Sequence, residues 1–111
     1  MSARPAGRTL CRLEEIDDPG SRGFEFDDRS IFVVRRGATV AAYVNSCPHT
    51  RGPLDWVEHR FLNLARTHIL CGTHGAVFRL EDGYCIDGPC IGDHLTALKV
   101  VVESGLLRLL D

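Results

Sequence analysis

Two short segments combine a thiol with an imidazole: Cys47-Pro48-His49 and Cys71-Gly72-Thr73-His74, with 21 residues between His49 and Cys71. A thiolate is a soft metal ligand and an imidazole a borderline one. A tetrahedral zinc site commonly takes a cysteine pair from one knuckle and a histidine pair from a helix, whereas here each arm is mixed. Mixing suits a binuclear cluster in which one metal takes both thiolates and the other both imidazoles. Two loops meeting over it could each supply one ligand to each metal. The same four side chains could also hold zinc in a structural module that binds a partner, and that alternative stays open at this level. Five cysteines and five histidines in 111 residues are the compositional anomaly of the chain. An odd cysteine count argues against a disulfide framework and for metal binding.

The remaining candidates separate by context. His68 lies three residues before Cys71, but it belongs to an apolar, strand-like run and reads as a structural or surface histidine. His59 and His94 have no cysteine at useful spacing and read as solvated. Cys11 reads as a small buried apolar residue. Cys85 and Cys90 flank Gly88-Pro89; they could bridge if the turn brings their Cβ atoms together, but free thiols are the expectation. Cys90 could also pack near the cluster. Trp56, with Leu54 and Phe61, is expected to anchor the long segment between the motifs.

The elements that must position these residues are strands. Residues 30–36 are rich in β-branched and aromatic side chains, and Gly37 turns the chain into residues 38–44, where Val40, Ala42 and Val44 share a face. Leu98, Val100 and Val102 alternate with more polar positions, and Glu103-Ser104-Gly105 signals a turn into residues 106–110, forming a closing hairpin. Residues 9–13 read as an edge strand and 14–18 as a helical turn stopped by Pro19-Gly20. Short strands without a sustained helical period predict an all-β antiparallel sandwich or barrel. Residues 46–91 are dense in Gly, Pro, Cys and His and read as a loop-rich site carried on that scaffold.

The paired motifs C-x-H and C-x-x-H resemble those of the Rieske [2Fe–2S] proteins over roughly residues 32–110, with Gly52, Gly72 and Gly75 beside the ligands and Gly88-Pro89-Cys90 where the family's proline-containing third loop lies over the cluster. The resemblance implies a Rieske-like antiparallel β-sandwich with a loop-rich cluster-binding subdomain, organised as one domain over residues 1–111 with the cluster-binding part at about 45–91. It makes Cys47 and Cys71 ligands of an inner iron, and His49 and His74 ligands of an outer, more exposed iron, of one [2Fe–2S] cluster per chain. Glycines there let backbone N–H groups approach the cluster sulfurs. High-potential members carry a disulfide between the ligand loops and two hydroxyl donors after the second histidine. This chain has Gly52 and Thr73 at the disulfide positions, and Ala76 and Phe78 where the hydroxyls would be. Without those donors, the expected potential lies at the low end of the Rieske range, roughly −150 to 0 mV.

The implied function is that of a small stand-alone ferredoxin: a one-electron carrier and not itself an enzyme, docking transiently with a reductase and with a terminal oxygenase or other oxidoreductase. The contact face is expected to include His49, His74, Arg51 and Pro89. A redox-sensing or accessory subunit is the competing function. Composition trims the field further. Apolar residues make up 44% and charged residues 25%, and the net charge of −2 gives no reason to expect nucleic acid or anionic lipid as partner. The longest apolar run, residues 40–44, is far short of a membrane span. Residues 1–8 hold no apolar core, so the expected compartment is the cytoplasm.

Overall fold

The computed structural model describes residues 8–26, 29–37, 39–48, 54–55, 59, 61–63, 65–71 and 75–110. Among the described residues, ten strands form three antiparallel sheets. Strands β1 (Arg8–Arg12), β9 (Val100–Glu103) and β10 (Leu106–Leu109) make one, in the order β1-β10-β9. The second is β2 (Gly20–Glu25), β3 (Ser30–Arg36), β4 (Thr39–Val44) and β8 (Ala97–Leu98) in the order β2-β3-β4-β8. The third is β5 (His68–Leu70), β6 (Val77–Arg79) and β7 (Cys85–Asp87). The all-β expectation is borne out.

The second sheet is a central layer, because successive side chains of a strand point to opposite faces. Val33 and Ala42 enter one core with Cys11, Ile16 and Leu107 of the first sheet's side. Phe32, Val34 and Tyr43 enter the other, with Ile69, Phe78 and Cys85 of the third sheet. This double burial explains why β3 is an unbroken apolar run, with residues 31–34 all buried. The expected edge strand is β1, which pairs β10 alone, with a bulge between Thr9 and Cys11. The closing hairpin is β9–β10, turning at Ser104 and Gly105, both at positive φ. Leu98 is not part of it: Lys99 breaks the run, and β8 pairs with β4 at Ala42 and Tyr43.

Two local differences from the sequence reading have physical causes. The helical turn is a single 3-10 turn at Leu13–Glu15, whose Leu13 and Ile16 carbonyls accept hydrogen bonds from the Arg35 guanidinium at 3.1 and 2.9 Å. Strand β2 carries no strand signal, because Gly20, Ser21 and Gly23 dilute it. Its formation depends on tertiary contacts. A Cβ at Gly23 would lie 3.1 Å from Cζ of Phe61, whose ring stacks on Phe32 with centroids 4.3 Å apart and 5° between planes.

Tyr43 ties the central layer to the third sheet. Its ring is buried and its hydroxyl donates to the Leu80 carbonyl at 2.7 Å. Tyr43→Phe leaves that buried carbonyl without its donor, and a loss of about 1–3 kcal/mol is expected by denaturant titration. Burial first, then the nearby Asp82 and Glu81 carboxylates, raises the tyrosine's pKa. The unfolded chain therefore surrenders this proton near pH 10 while the fold retains it. The stabilisation is complete below about pH 10 and is lost as pH climbs towards the folded value. Tyr43→Phe should flatten that alkaline decline; an unchanged slope would assign it to other groups.

Candidate metal centre

Cys71 of the second motif directly follows β5, where the chain leads out of the β5–β6 pair. His68, Ile69 and Leu70 pair with Arg79, Phe78 and Val77, so the chain must reverse over residues 71–76. Two backbone bonds close the reversal: Cys71 N–H donates to Ala76 O at 2.8 Å, and Gly75 N–H to Cys71 O at 2.9 Å. Gly75 takes φ +73°, a left-handed conformation open to glycine at little cost. Cys71 is thereby fixed at the root of a tight loop, 1% exposed.

The first motif follows β4 and depends on Asn45. Its amide donates to Asp55 Oδ1 at 3.0 Å and Ser30 Oγ at 3.3 Å, and its side-chain oxygen accepts the Leu54 N–H at 2.8 Å. Asn45 thus fastens both ends of the segment that contains Cys47. Leu54 and Phe61 are fully buried, as the anchoring reading expected. The sequence reading missed Asn45; its only signal is a side chain with both donor and acceptor placed two residues before the motif.

His59 also does more than face solvent. Although exposed, its Nδ1 accepts the Gly23 N–H at 3.0 Å and its carbonyl accepts the Ser21 hydroxyl at 2.8 Å, so it caps the outer edge of β2. His68 is half-buried on β5 with Nδ1 2.9 Å from Thr67 Oγ1, and His94 is exposed with Nδ1 3.0 Å from Leu95 O. Cys11 is buried in the core away from the motifs.

Cys47 and Cys71 fall in one buried cluster, together with Ala76, Phe78, Cys85 and Cys90. None of the five cysteines forms a disulfide in this structure. His49, Arg51, Gly52, Trp56, Gly72, Thr73 and His74 lie outside the described residues. Among the described residues no three metal-binding side chains converge. The observed pair is the sulfur half of the donor set: two water-excluded, unbridged thiols on loops held by separate hydrogen-bond networks. That chemistry fits an iron–sulfur group.

The loop after β7 lies against residues 75–76. Gly88 adopts φ +97°, and a Cβ there would lie 2.7 Å from Cα and 3.1 Å from N of Ala76. The Gly88-Pro89-Cys90 backbone therefore crosses directly against residues 75–76. Beneath it, the Cys90 thiol donates to Cys85 Sγ at 3.1 Å, and Cys85 donates to Asp87 O at 3.2 Å. Burial, followed by the bond to Cys85, pushes the Cys90 thiol up to about 12; the Cys47 sulfur acts in the same direction. Cys90 therefore stays protonated at neutral pH. Cys85 and Cys90 are not bridged in this structure, and Cys90 packs in the cluster that holds the ligand candidates.

An antiparallel scaffold presenting two cysteine-bearing loops under a glycine-proline loop defines a class of small iron–sulfur domain. The family model of the Rieske [2Fe–2S] domain matches residues 8–102, and the chain belongs to that family. Its cofactor is one [2Fe–2S] cluster. The cytochrome b6-f complex iron-sulfur subunit of Chlorobaculum thiosulfatiphilum is 30% identical over 81 residues, covering 73% of this chain and 41% of that relative, so the chain spans less than half the relative's length. In fold, the chain is similar to the ferredoxin of carbazole 1,9a-dioxygenase from Nocardioides aromaticivorans, with a TM-score of 0.77 and 24% identity over 94% of this chain and 96% of that one. It is also similar to the terminal oxygenase of carbazole 1,9a-dioxygenase from Novosphingobium sp. KA1, with a TM-score of 0.79 and 21% identity over 96% of this chain and 30% of that one.

Proposed function

We propose that the protein is a one-electron carrier of the Rieske ferredoxin type, with Cys47 and Cys71 on the inner iron and His49 and His74 on the outer iron of its cluster. The burial of Cys47 and Cys71 in one cluster at the loop-bearing side of the fold carries this reading. When bound, the cluster supplies a site that accepts and releases one electron. The chain's own residues hold the two thiolates out of water, fix the loops through Asn45 and the backbone bonds at Cys71, and place Ala76 and Phe78, which carry no hydroxyl, in the same buried cluster. The whole chain is read as one domain, with residues of about 45–91 forming the cluster-binding part.

The partners are a reductase and a terminal oxygenase or related oxidoreductase, met through small transient contacts. Exposed Pro89 and Ile91, the latter 65% exposed, extend the expected contact face of His49, Arg51 and His74 with apolar surface. Among proteins of similar fold is a complex of reduced oxygenase and oxidized ferredoxin in carbazole 1,9a-dioxygenase, which supports this class of partner. No helix among the described residues is long and apolar enough to cross a membrane.

The test is anaerobic purification with iron and acid-labile sulfide assays, followed by an EPR spectrum after dithionite reduction. Two irons and two sulfides per chain, with the low average g value of mixed ligation, are expected. Colourless, zinc-loaded protein would overturn the proposal. Tuning is tested separately. Ala76 and Phe78 are both fully buried in the cluster that holds Cys47 and Cys71. Ala76→Ser or Phe78→Tyr introduces a hydroxyl that stabilises the more negative reduced state. A rise of about 50–100 mV per donor is expected by protein-film voltammetry, from a bond to charge of about 1.5–3 kcal/mol acting partly in both states. A wild-type potential near +300 mV would contradict this account.

A further inference from the structure

Cys85 and Cys90 are used by none of the steps above, yet their sulfurs lie only 3.1 Å apart. A disulfide bond is about 2.05 Å long, so closure requires roughly 1 Å of approach. The pair spans two elements. Cys85 begins β7, fixed by its N–H to Asp93 O at 2.9 Å and by pairing with Phe78. Cys90 lies in the loop that crosses residues 75–76, which joins to Cys85 through residues 86–89. Both sulfurs are buried, but the cover is one chain thick: Pro89 and residues 91–93 are exposed. Gly88 and Gly92, at φ +97° and +99°, flank the cysteine, and a Cβ at Gly92 would meet open space. On its Gly92 side the loop is held by the Asp93 N–H to Cys90 O at 2.9 Å, so a small reagent reaches the sulfurs only when this single layer of chain opens.

We propose that Cys85 and Cys90 form a dithiol–disulfide couple that, when oxidised by a low-molecular-weight disulfide, covalently clasps the Gly88-Pro89-Cys90 loop over the cluster. One cysteine thiolate attacks the small disulfide, forming a mixed disulfide and expelling one small thiol. The second cysteine then displaces the second small thiol and closes the protein bond. The two electrons and two protons lost by the pair reside in the two released thiols. Exchange is slow, because both sulfurs are buried. The clasp reports sustained oxidation, and it restrains the loop that lies against residues 75–76.

The sequence itself provides the readout. Arg79 and Lys99 are adjacent trypsin sites, so one peptide, residues 80–99, contains both cysteines and no other. Holoprotein is incubated anaerobically with a glutathione redox buffer or with hydroxyethyl disulfide, denatured, alkylated and digested. The expected product is this peptide lighter by two hydrogens and unalkylated, reverting to the doubly alkylated form after a thiol reductant. In oxidised holoprotein, iron transfer to a chelator should slow several-fold, and Cys90→Ser and Cys85→Ala should each abolish the difference between oxidised and reduced samples. A doubly alkylated peptide at the most oxidising poise would overturn the couple. An intrapeptide disulfide with unchanged iron release would overturn its action on the cluster site. The peptide mass is independent of metal content, so failure here is distinguishable from failure of the carrier assignment.

Discussion

Cys47→Ser and Cys71→Ser should each reduce iron from two per chain to near zero and remove the visible absorption, while Cys90→Ser keeps both. The contrast is informative because all three sulfurs lie in the same buried cluster, and Cys90 is 3% exposed against 0% and 1% for the other two. Burial alone cannot rank them. Position can: Cys47 and Cys71 lie on the two loops fastened by Asn45 and by the residue 71–76 backbone bonds, whereas Cys90 is turned onto Cys85. The backbone bonds at Cys71 do not involve its sulfur, so the hairpin persists in the serine variant and the loss reports ligation. A serine hydroxyl is a harder donor that must give up a far less acidic proton. His49→Ala and His74→Ala are expected to lose the cluster as well. Iron and sulfide analysis with EPR checks all five variants; a His49→Ala/His74→Ala double variant with an unaltered spectrum would refute the ligand set.

The second large effect is expected at Gly88. Gly88→Ala adds a Cβ 2.7 Å from the Ala76 Cα at a φ of +97°. Backbone strain of about 1–3 kcal/mol combines with an overpacking cost of similar size, because the atoms struck are backbone and cannot rotate away. A destabilisation of about 2–4 kcal/mol is expected, read as a Tm lower by at least about 10 °C. The loop must also rise off residues 75–76, so the cluster should bleach faster in the presence of chelator. Gly92→Ala is the control. Its φ is +99°, but a Cβ there meets nothing within 4 Å, so only the strain is incurred. Equal losses in the two variants would show that contact with Ala76 contributes nothing. The difference between them measures how firmly the proline loop is seated.

These two experiments address features of very different legibility. Cysteine and histidine report metal chemistry by their type, and a spacing of one or two residues places both members of a motif on one loop. The ligand candidates, the all-β class and the closing hairpin were therefore readable directly from the chain. The run at residues 30–36 was readable for the same kind of reason, since strand propensity and burial there agree.

What was not readable depends on neighbours distant in sequence. Strand β2 has little propensity of its own and forms because Gly23 leaves space for Phe61, 38 residues away, while His59 and Ser21 tie the same segments together. The role of Asn45 appears only when Ser30, Leu54 and Asp55 surround its amide. The facing of Cys85 and Cys90 depends on a loop path set by Gly88 lying against Ala76. Residue type and local period are properties of a few consecutive residues, so the sequence by itself determined the metal-ligand candidates and the strand class. A close approach between segments tens of residues apart is decided by packing, so only the tertiary structure determined which groups seat the loops and which thiols meet beneath them.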